Sequence, residues 1–423
     1  MNATRRQLVS ALALLGLQGL NLPRVQAATA SSRLVVVGGG FGGATAARTL
    51  KRLLPTASVT LVEPGEHYTA CPFSNLVVAG QRDLASQVFG YKALAREGIT
   101  VAQAAATDAD AATQTVTLSG GDTLAYDRLV LSPGIDFRWG ELAGYGPDAV
   151  ASIPHAWKAG TQTTQLRNQL RAMPDGGTAV ISVTAAPFRC PPGPYERASL
   201  IADYFKREKP RSKLLVLDSN ERFSKQSLFQ QEWSSRYGDT VEWRSASMDG
   251  RVTRVDASTL QVFTEFEQIK ADVVNVVPPQ RAGTIAQRAG VVDDTGWCPI
   301  DARDFASTLQ PGVHVIGDAT IAAPMPKSAF SANAQAKVCA IQVARALSGL
   351  DSEATTLANT CYSFLDGTSA ISVAGVYRND GGVFSNVAGA GGVSSALAGD
   401  DVRAQEAAQA RDWYARITEE AFG

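Results

Sequence analysis

The strongest constraint in this sequence is a glycine-rich segment that lies between two short apolar runs. Residues 33–37 (RLVVV) indicate a buried parallel strand, and the glycine-rich segment 38–43 (GGGFGG) follows it directly. A helix is predicted over 44–54 and a second strand over 58–62, which ends at Glu63, 20 residues past Gly43. Strand, glycines, helix, strand and acid in this order form the fingerprint of a dinucleotide-binding domain.

Each residue of this fingerprint has a physical role. Gly38 makes the tight turn, Gly40 lets the backbone approach a pyrophosphate, and Gly43 lets the helix pack on the strand. The free N–H groups at the start of the helix hold the phosphate charge. Glu63 is expected to accept hydrogen bonds from the ribose hydroxyls.

Two later segments indicate that the dinucleotide is FAD. Residues 123–134 (TLAYDRLVLSPG) resemble the segment of two-dinucleotide-fold flavoproteins in which the chain crosses between domains. Residues 313–319 (VHVIGDA) form a strand that leads into Gly317 and Asp318, and this acid resembles the family's ligand for the FAD ribityl chain. Either segment alone could be an ordinary strand and turn, but with the fingerprint they point to FAD.

A second Rossmann-like domain is predicted to have lost its nucleotide site. Residues 177–183 (GTAVISV) resemble a first strand, and 214–218 (LLVLD) still supply the next strand and its acid. The intervening segment 184–194 (TAAPFRCPPGP) lacks the spaced glycines, and its prolines have no N–H to offer a phosphate. We therefore expect electrons neither to come from NAD(P)H nor to go to it.

The expected fold is α/β, with two Rossmann-like dinucleotide-binding domains, one FAD-binding and one degenerate and NAD-like, and a C-terminal interface domain. The predicted units are a signal peptide at 1–27, the FAD-binding domain at 28–151 and 281–350, the degenerate NAD-like domain at 152–280, and the interface domain at 351–423. A helix is predicted at 329–347, β-like segments around 371–376, and a polar helix near 402–420.

The N-terminus indicates export of the folded protein. Arg5 and Arg6 precede an apolar run that extends to Leu17, and small residues follow at 25–28, as in a twin-arginine signal. An ordinary secretory signal or a mitochondrial presequence is the alternative. We expect a soluble periplasmic protein without a stable membrane span, because no later stretch approaches the roughly 20 apolar residues that a span requires.

Charge and metal-ligand residues exclude several function classes. Lys and Arg total 39 against 40 Asp and Glu, so nothing favours binding to nucleic acid or to an anionic membrane. The five cysteines contain neither a Cys-x-x-Cys nor a Cys-x-x-Cys-His motif, so the chain attaches no c-type haem itself. The three histidines are scattered, and we expect no metal site.

The chain resembles the flavoprotein subunit of flavocytochrome c sulfide dehydrogenase, with sulfide:quinone oxidoreductases as more distant relatives. The resemblance covers nearly the whole mature chain and is most specific in 68–72 (YTACP), 190–197 (CPPGPYER) and 359–363 (NTCYS). It implies that Cys71 is linked covalently to the FAD, and this would account for one cysteine of the odd set. A buried free thiol beside the flavin ring is the alternative for Cys71.

The resemblance also implies a redox-active disulfide between Cys190 and Cys361, where hydrosulfide attack would give a persulfide and a thiolate. The alternative is a stabilising disulfide of a secreted protein. Glu196 is a candidate proton acceptor, or an exposed carboxylate at a helix start. Lys327 could stabilise negative charge on the reduced flavin, or form a surface salt bridge.

Cys298 and Cys339 are expected either to form a second, structural disulfide or to be buried thiols.

The expected function is a periplasmic sulfide dehydrogenase that passes electrons through FAD to a separate c-type cytochrome subunit, in a heterodimer. A quinone reductase of the sulfide:quinone type is the first alternative, although the C-terminal segment shows little of the amphipathicity that membrane docking needs. A non-catalytic flavoprotein chaperone and an NADH-dependent reductase are the remaining two.

Overall fold

The structure is a computed structural model that describes residues 32–423. The predicted twin-arginine signal at 1–27 lies outside the described residues, so export stays a prediction. Within the described part of the chain, no helix is both long and apolar enough to cross a membrane.

The first segment of the chain builds most of the first parallel sheet. Its strands are β1 Arg33–Val37, β2 Ser58–Val62, β3 His67–Thr69, β4 Val88–Gly90, β5 Thr100–Ala102, β6 Ala106–Asp110, β7 Thr115–Leu118, β8 Thr123–Ala125, β9 Arg128–Leu131 and β10 Ile135–Phe137, and its helices are α1 Phe41–Leu53, α2 Ser74–Val78 and α3 Lys92–Arg96. The predicted bounds of β1 and β2 are confirmed. The predicted start of α1 at residue 44 is wrong, because the helix already begins at Phe41 inside the glycine-rich segment.

The second segment forms a four-stranded parallel sheet in the order β13-β12-β11-β17 and a small antiparallel sheet of β14, β15 and β16. The strands are β11 Thr178–Val183, β12 Lys213–Asp218, β13 Val241–Arg244, β14 Arg254–Asp256, β15 Gln261–Phe263, β16 Gln268–Lys270 and β17 Val273–Val277, and the helices are α4 Thr161–Ala172, α5 Gly193–Glu208 and α6 Gln226–Tyr237. This sheet has the parallel order of a Rossmann-like half.

The chain then returns to the first domain through β18 Gln280–Ala282, α7 Thr284–Arg288, β19 Val313–Val315 and α8 Ala329–Leu347. Strand β18 pairs antiparallel with β10, and β19 completes a five-stranded parallel sheet in the order β19-β9-β1-β2-β5. The predicted bounds of α8 are confirmed. Two Rossmann-like sheets therefore confirm the predicted fold class, whereas the residue-level domain boundaries stay predictions.

The C-terminal segment is an antiparallel sheet, β20 Thr356–Phe364, β21 Ala370–Arg378 and β22 Ser385–Val393, followed by α9 Asp400–Phe422. Helix α9 packs back on the first domain. Its Phe422 ring stacks on Tyr68 at 5.4 Å between centroids and on Phe89 at 5.2 Å. The guanidinium of Arg48 in α1 donates to the carbonyls of Glu419 and Glu420 at 2.8 and 2.9 Å, which caps the C-terminal end of α9.

Candidate active site

The glycine-rich turn between β1 and α1 forms a cradle of bare backbone. Gly38 has φ +101°, and a Cβ there would lie 2.3 Å from the carbonyl oxygen of Ser132. A Cβ on Gly43 would lie 1.8 Å from the carbonyl oxygen of Gly38. A Cβ on Gly40, by contrast, would meet only the Tyr68 ring, at 3.4 Å, so the protein itself leaves room beside this residue. Helix α1 starts directly behind this turn, with its N–H groups directed at the cradle.

Glu63 lies at the carboxyl end of β2, beside the glycine turn. One carboxylate oxygen accepts a hydrogen bond from the Gly39 N–H at 2.7 Å, and the other accepts one from the Gly65 N–H at 3.1 Å. Each carboxylate oxygen keeps a free acceptor site, which suits the predicted bond to a ribose hydroxyl. Tyr91 was not predicted, yet its hydroxyl donates to the Gly39 carbonyl at 3.0 Å and supports the same turn.

Asp318 lies in the short turn Gly317–Ala319 that follows β19. Within residues 32–423 its buried Oδ1 has no hydrogen-bond partner. Burial raises the pKa of Asp318, against the opposing charges of Arg189 and Lys327. An unpaired buried carboxylate oxygen in this position is suited to accept a hydrogen bond from a ligand hydroxyl.

Lys327 is half-buried near Asp318, which argues against the surface salt bridge. Its ammonium donates to the carbonyls of Asp318 and Thr320 at 2.9 and 2.6 Å, and it lies 3.8 Å from the Trp297 ring centroid. Burial lowers the pKa of Lys327 to about 8. The residue therefore places a positive charge at the end of the dinucleotide site.

These features fit FAD. The turn at Gly38, Gly40 and Gly43 has no side chains, so a pyrophosphate can come close to its backbone. Glu63 can bind the ribose. The buried Oδ1 of Asp318, which has no partner within residues 32–423, can accept a hydrogen bond from a ligand hydroxyl.

Cys71 and Arg189 share the backbone carbonyl of Trp157. The backbone carbonyl of Trp157 accepts a hydrogen bond from the Cys71 thiol at 3.7 Å and another from the Arg189 guanidinium. Arg189 interacts electrostatically with Cys71, Asp318 and Cys190, so the predicted flavin-linked cysteine, ribityl ligand and redox cysteine surround one guanidinium. Neither Trp157 nor Arg189 was predicted, because each acquires its place only through the fold.

Cys190 and Cys361 come from distant segments and share one site. Cys190 lies in the loop before α5 with a left-handed φ of 55°, and Cys361 lies in β20. Both are free thiols in the structure, so their disulfide stays a prediction. Burial raises the pKa of both thiols, and charge on Cys361 raises that of Cys190 further. The amide of Asn359 donates to the Cys361 sulfur at 3.2 Å.

Glu196 lies in the first turn of α5, as expected, but it is half-buried rather than exposed. Its carboxylate accepts hydrogen bonds from the Asn75 amide at 2.7 Å and from the Phe364 N–H at 2.9 Å. Burial raises the pKa of Glu196 above its usual range. Its charge also acts on both Cys190 and Cys361, which places a possible proton acceptor beside the two thiols.

Lys225, which the sequence reasoning missed, completes this group. Its ammonium donates to the carbonyl oxygen of Cys361 at 3.0 Å and to the hydroxyl of Ser363 at 2.8 Å. Only 7% of the residue is exposed. No periodicity or motif marks the segment 221–226 (ERFSKQ) in which it lies.

A cavity of about 180 Å³ lies beside Cys361. Its lining contains four prolines and no charged side chain, and consists of Pro191, Pro192, Ser224, Pro324, Pro326, Asn359, Cys361, Val373, Ala374, Gly375 and Tyr377. The cavity is large enough for a molecule of a few atoms and reaches Cys361.

The nucleotide site of the second domain is closed by the protein itself. Asp218, at the end of β12, is fully buried. Its carboxylate accepts hydrogen bonds from the hydroxyl of Tyr195 at 2.6 Å and from the indole of Trp243 at 3.0 Å. The acid that would bind a nucleotide ribose is therefore occupied by protein donors.

The remaining cysteines are buried. Cys298 and Cys339 are both buried and are free thiols in the structure, so a disulfide between them, like that between Cys190 and Cys361, stays a prediction. Burial raises the pKa of Cys298 to about 12. Across residues 32–423, no group of three or more His, Cys, Asp or Glu side chains is arranged to hold a metal ion.

Family comparisons agree with this architecture. Residues 32–167 match the family described as pyridine nucleotide-disulphide oxidoreductase, residues 163–278 match the central domain of the sulfide dehydrogenase [flavocytochrome c] flavoprotein chain, and residues 353–422 match the flavin-binding domain of flavocytochrome c sulphide dehydrogenase. The fold and the site therefore define a flavoprotein oxidoreductase with two dinucleotide-binding domains.

One relative identifies the family within this class of flavoproteins. The sulfide dehydrogenase flavoprotein chain of Chlorobaculum thiosulfatiphilum is 60% identical over 47 residues, which are 11% of this chain and 98% of that sequence. This chain belongs to the family of flavocytochrome c sulfide dehydrogenase flavoprotein chains.

More distant similarity extends to quinone-linked relatives. The mitochondrial sulfide:quinone oxidoreductase of Mus musculus is 23% identical over 322 residues, covering 72% of this chain and 69% of the relative. The solved structure of the sulfide:quinone oxidoreductase from Aquifex aeolicus has the same fold, with a TM-score of 0.73, 18% identity and 92% of each chain covered.

Proposed function

We propose that this protein oxidises sulfide at the Cys190 and Cys361 pair and passes the electrons through FAD to a separate c-type cytochrome subunit. The observation that carries the proposal is that Cys361 and the prolines that follow Cys190 line one small cavity, while the two thiols interact electrostatically with each other and with Glu196. Membership of the sulfide dehydrogenase flavoprotein family supports the same substrate.

The proposed first step is an exchange at a Cys190–Cys361 disulfide. Hydrosulfide attacks one of the two sulfurs, the Cys–Cys bond breaks, and a persulfide forms on the attacked cysteine while the other leaves as a thiolate. If neutral hydrogen sulfide enters, its proton must first be removed. The proposed acceptor of this proton is Glu196, which acts electrostatically on both thiols and whose pKa is raised by burial.

FAD, when bound, supplies a two-electron acceptor that can release electrons one at a time. Cys71 is proposed to hold the cofactor through a thioether, and its position beside Trp157 and Arg189 supports this. Acid precipitation tests the link, since a thioether keeps the yellow colour in the protein pellet. A Cys71→Ala variant should release all colour to the supernatant.

The central experiment is an anaerobic titration with sulfide, followed by visible absorption. We expect sulfide to bleach the flavin of the wild type and of Cys339→Ser, a control at a buried cysteine outside the site, but not of Cys361→Ser. An unchanged wild-type spectrum would refute sulfide oxidation and leave only an FAD-binding protein, as in a chaperone.

A membrane quinone is the second candidate acceptor, and the similarity to sulfide:quinone oxidoreductases is the observation that favours it. The sulfide-reduced protein should pass electrons to a soluble c-type cytochrome faster than to a water-soluble quinone analogue. The reverse order would assign the quinone.

The periplasmic location is proposed from the twin-arginine pattern of Arg5 and Arg6, the apolar run to Leu17 and the small residues at 25–28. Replacement of both arginines by lysine should retain the protein in the cytoplasm, as measured by cell fractionation. Equal export of the variant would contradict the twin-arginine route.

A further inference from the structure

Lys225 occupies an unusual position at the junction of α6 and the C-terminal sheet. It precedes α6 with a left-handed φ of 63°, and its side chain turns inward. The ammonium reaches both strands of the β20–β21 hairpin, donating to the Cys361 carbonyl at 3.0 Å, the Ser363 hydroxyl at 2.8 Å and, more weakly, the Ile371 carbonyl at 3.5 Å.

All three acceptors of Lys225 are uncharged. A buried ammonium that lacks a hydrogen-bonded carboxylate is costly, since neutral acceptors replace only part of its hydration. Two carboxylates, Glu196 on α5 and Glu406 on α9, act on it through space, as do the thiols of Cys190 and Cys361. Burial of the Lys225 ammonium is therefore not explained by a hydrogen-bonded ion pair. We take its positive charge to have a role in the dithiol site instead.

A second group, the side-chain amide of Asn359, can also stabilise a negative charge on the Cys361 sulfur. The amide group of Asn359 donates to this sulfur at 3.2 Å. Its amide oxygen accepts hydrogen bonds from the hydroxyls of Ser328 at 2.6 Å and Ser331 at 3.2 Å, which fixes the amide so that its nitrogen faces the thiol. Ser328 is itself held as the N-cap of α8, because its side chain accepts from the Ser331 N–H.

We propose that Lys225 is a positioning residue of the dithiol site that supplies the fixed positive charge for a thiolate at Cys361. The inference rests on the proposed function, because Lys225 matters for turnover only if the two cysteines oxidise sulfide. The ionisation of the Cys361 thiol, however, can be measured without sulfide. Lys225 acts on the sulfur through space and through the strand that it holds, while Asn359 contacts the sulfur directly.

The electrostatics set the direction of the effect. Burial raises the pKa of Cys361. The Asn359 hydrogen bond, the charge of Lys225 and the Ser328 hydroxyl oppose this rise, whereas Glu196 adds to it. Burial lowers the pKa of Lys225 to about 8, so below that pH it is a cation and supports the thiolate. Removal of the cation should therefore make Cys361 a weaker acid.

The test is the rate of alkylation of Cys361 by iodoacetamide as a function of pH, followed by mass spectrometry of its peptide. The protein carries Cys190→Ser, so that Cys361 stays reduced. We expect Lys225→Met to alkylate at least about tenfold more slowly at neutral pH, which corresponds to about one unit of thiol pKa. The control is Lys206→Met, which removes a lysine on α5 whose ammonium binds only the exposed carbonyl of Arg236.

An unchanged Cys361 rate in a Lys225→Met protein that retains FAD and its melting temperature overturns the proposal. If Lys225→Met loses FAD, Lys225→Arg decides, because arginine keeps its charge above pH 8. Alkylation of Lys225→Arg at least as fast as wild type near pH 9 supports the charge role, and slower alkylation overturns it. Failure of sulfide to bleach the wild-type flavin would refute the proposed function but leave this measurement intact.

Discussion

Two glycines of the segment 38–43, Gly40 at the turn after β1 and Gly43 in the first turn of α1, should fail in different ways when each is replaced by alanine. A Cβ on Gly43 would lie 1.8 Å from the Gly38 carbonyl oxygen, so backbone must move by more than about 1 Å to relieve the overlap. Such overpacking costs about 1–3 kcal/mol and persists without cofactor. A Cβ on Gly40 meets only the Tyr68 ring at 3.4 Å, an ordinary contact, so the cofactor-free fold should tolerate it.

Gly40→Ala should instead weaken FAD binding. If the added methyl group prevents one charge-assisted hydrogen bond between backbone and pyrophosphate, the loss is about 1.5–3 kcal/mol, or about 10- to 150-fold in affinity. A Cys71→Ala background keeps binding reversible, and FAD affinity is read by flavin fluorescence. Gly146→Ala is the control, because nothing lies within 4 Å of its added Cβ.

The expected pattern is specific. The cofactor-free Gly43→Ala protein should melt several degrees below wild type, at about 2–4 °C per kcal/mol for a domain of this size. The cofactor-free Gly40→Ala protein should melt like wild type yet bind FAD poorly. Wild-type affinity in Gly40→Ala would show that this turn is not the pyrophosphate site as described. Wild-type melting in cofactor-free Gly43→Ala would refute the close packing of Gly43 against the Gly38 carbonyl.

Three further predictions concern buried polar groups. Asn75→Ala removes a hydrogen-bond partner from both Glu196 and the buried Arg197 and should cost about 1–3 kcal/mol in urea unfolding. Arg48→Met removes the cap of α9 and should speed amide hydrogen exchange in its last turn. The pKa of Lys327 is lowered from 10.5 to about 8, so between these values the unfolded state binds more protons than the folded state. Thermal melts should therefore show wild type gaining stability over Lys327→Met as the pH rises from about 8 to about 10.5.

Each of these has a control of the same chemistry on the surface. Asn386→Ala removes an exposed amide from β22, and Arg52→Met an exposed guanidinium from α1. Lys337→Met removes an ammonium whose partner, Glu420, is also exposed. Equal effects in a variant and its control would mean that burial is not the cause.

Short-range signals in the sequence were sufficient for the dinucleotide half of the site. The strand at 58–62 and the helix at 329–347 have the predicted bounds, because local periodicity and turn residues determine them. The start of α1 was missed because a run of glycines disfavours a helix locally, and the packing of Gly43 on β1 overrides that preference.

The dithiol half of the site depended on contacts between distant segments. The cysteines could be named only from a family resemblance, since spacing does not reveal that β20 lies over the loop before α5. Lys225 and Arg189 carry no local signal at all, because a single cation in a polar loop looks like surface. Their burial beside the thiols follows from the docking of the β20–β21 hairpin and of the second sheet.

The contact between Arg48 of α1 and the last turn of α9 affects when the cofactor site can form. The helix whose first turn faces the pyrophosphate cradle is bound near its middle to the last turn of α9, and Phe422 packs on the Tyr68 ring that borders Gly40. Residues 419–422 are made almost four hundred residues after the glycine turn, so this wall of the cofactor site is absent until α9 has been synthesised and has packed on α1. A flavin that binds before this point would meet an incomplete site.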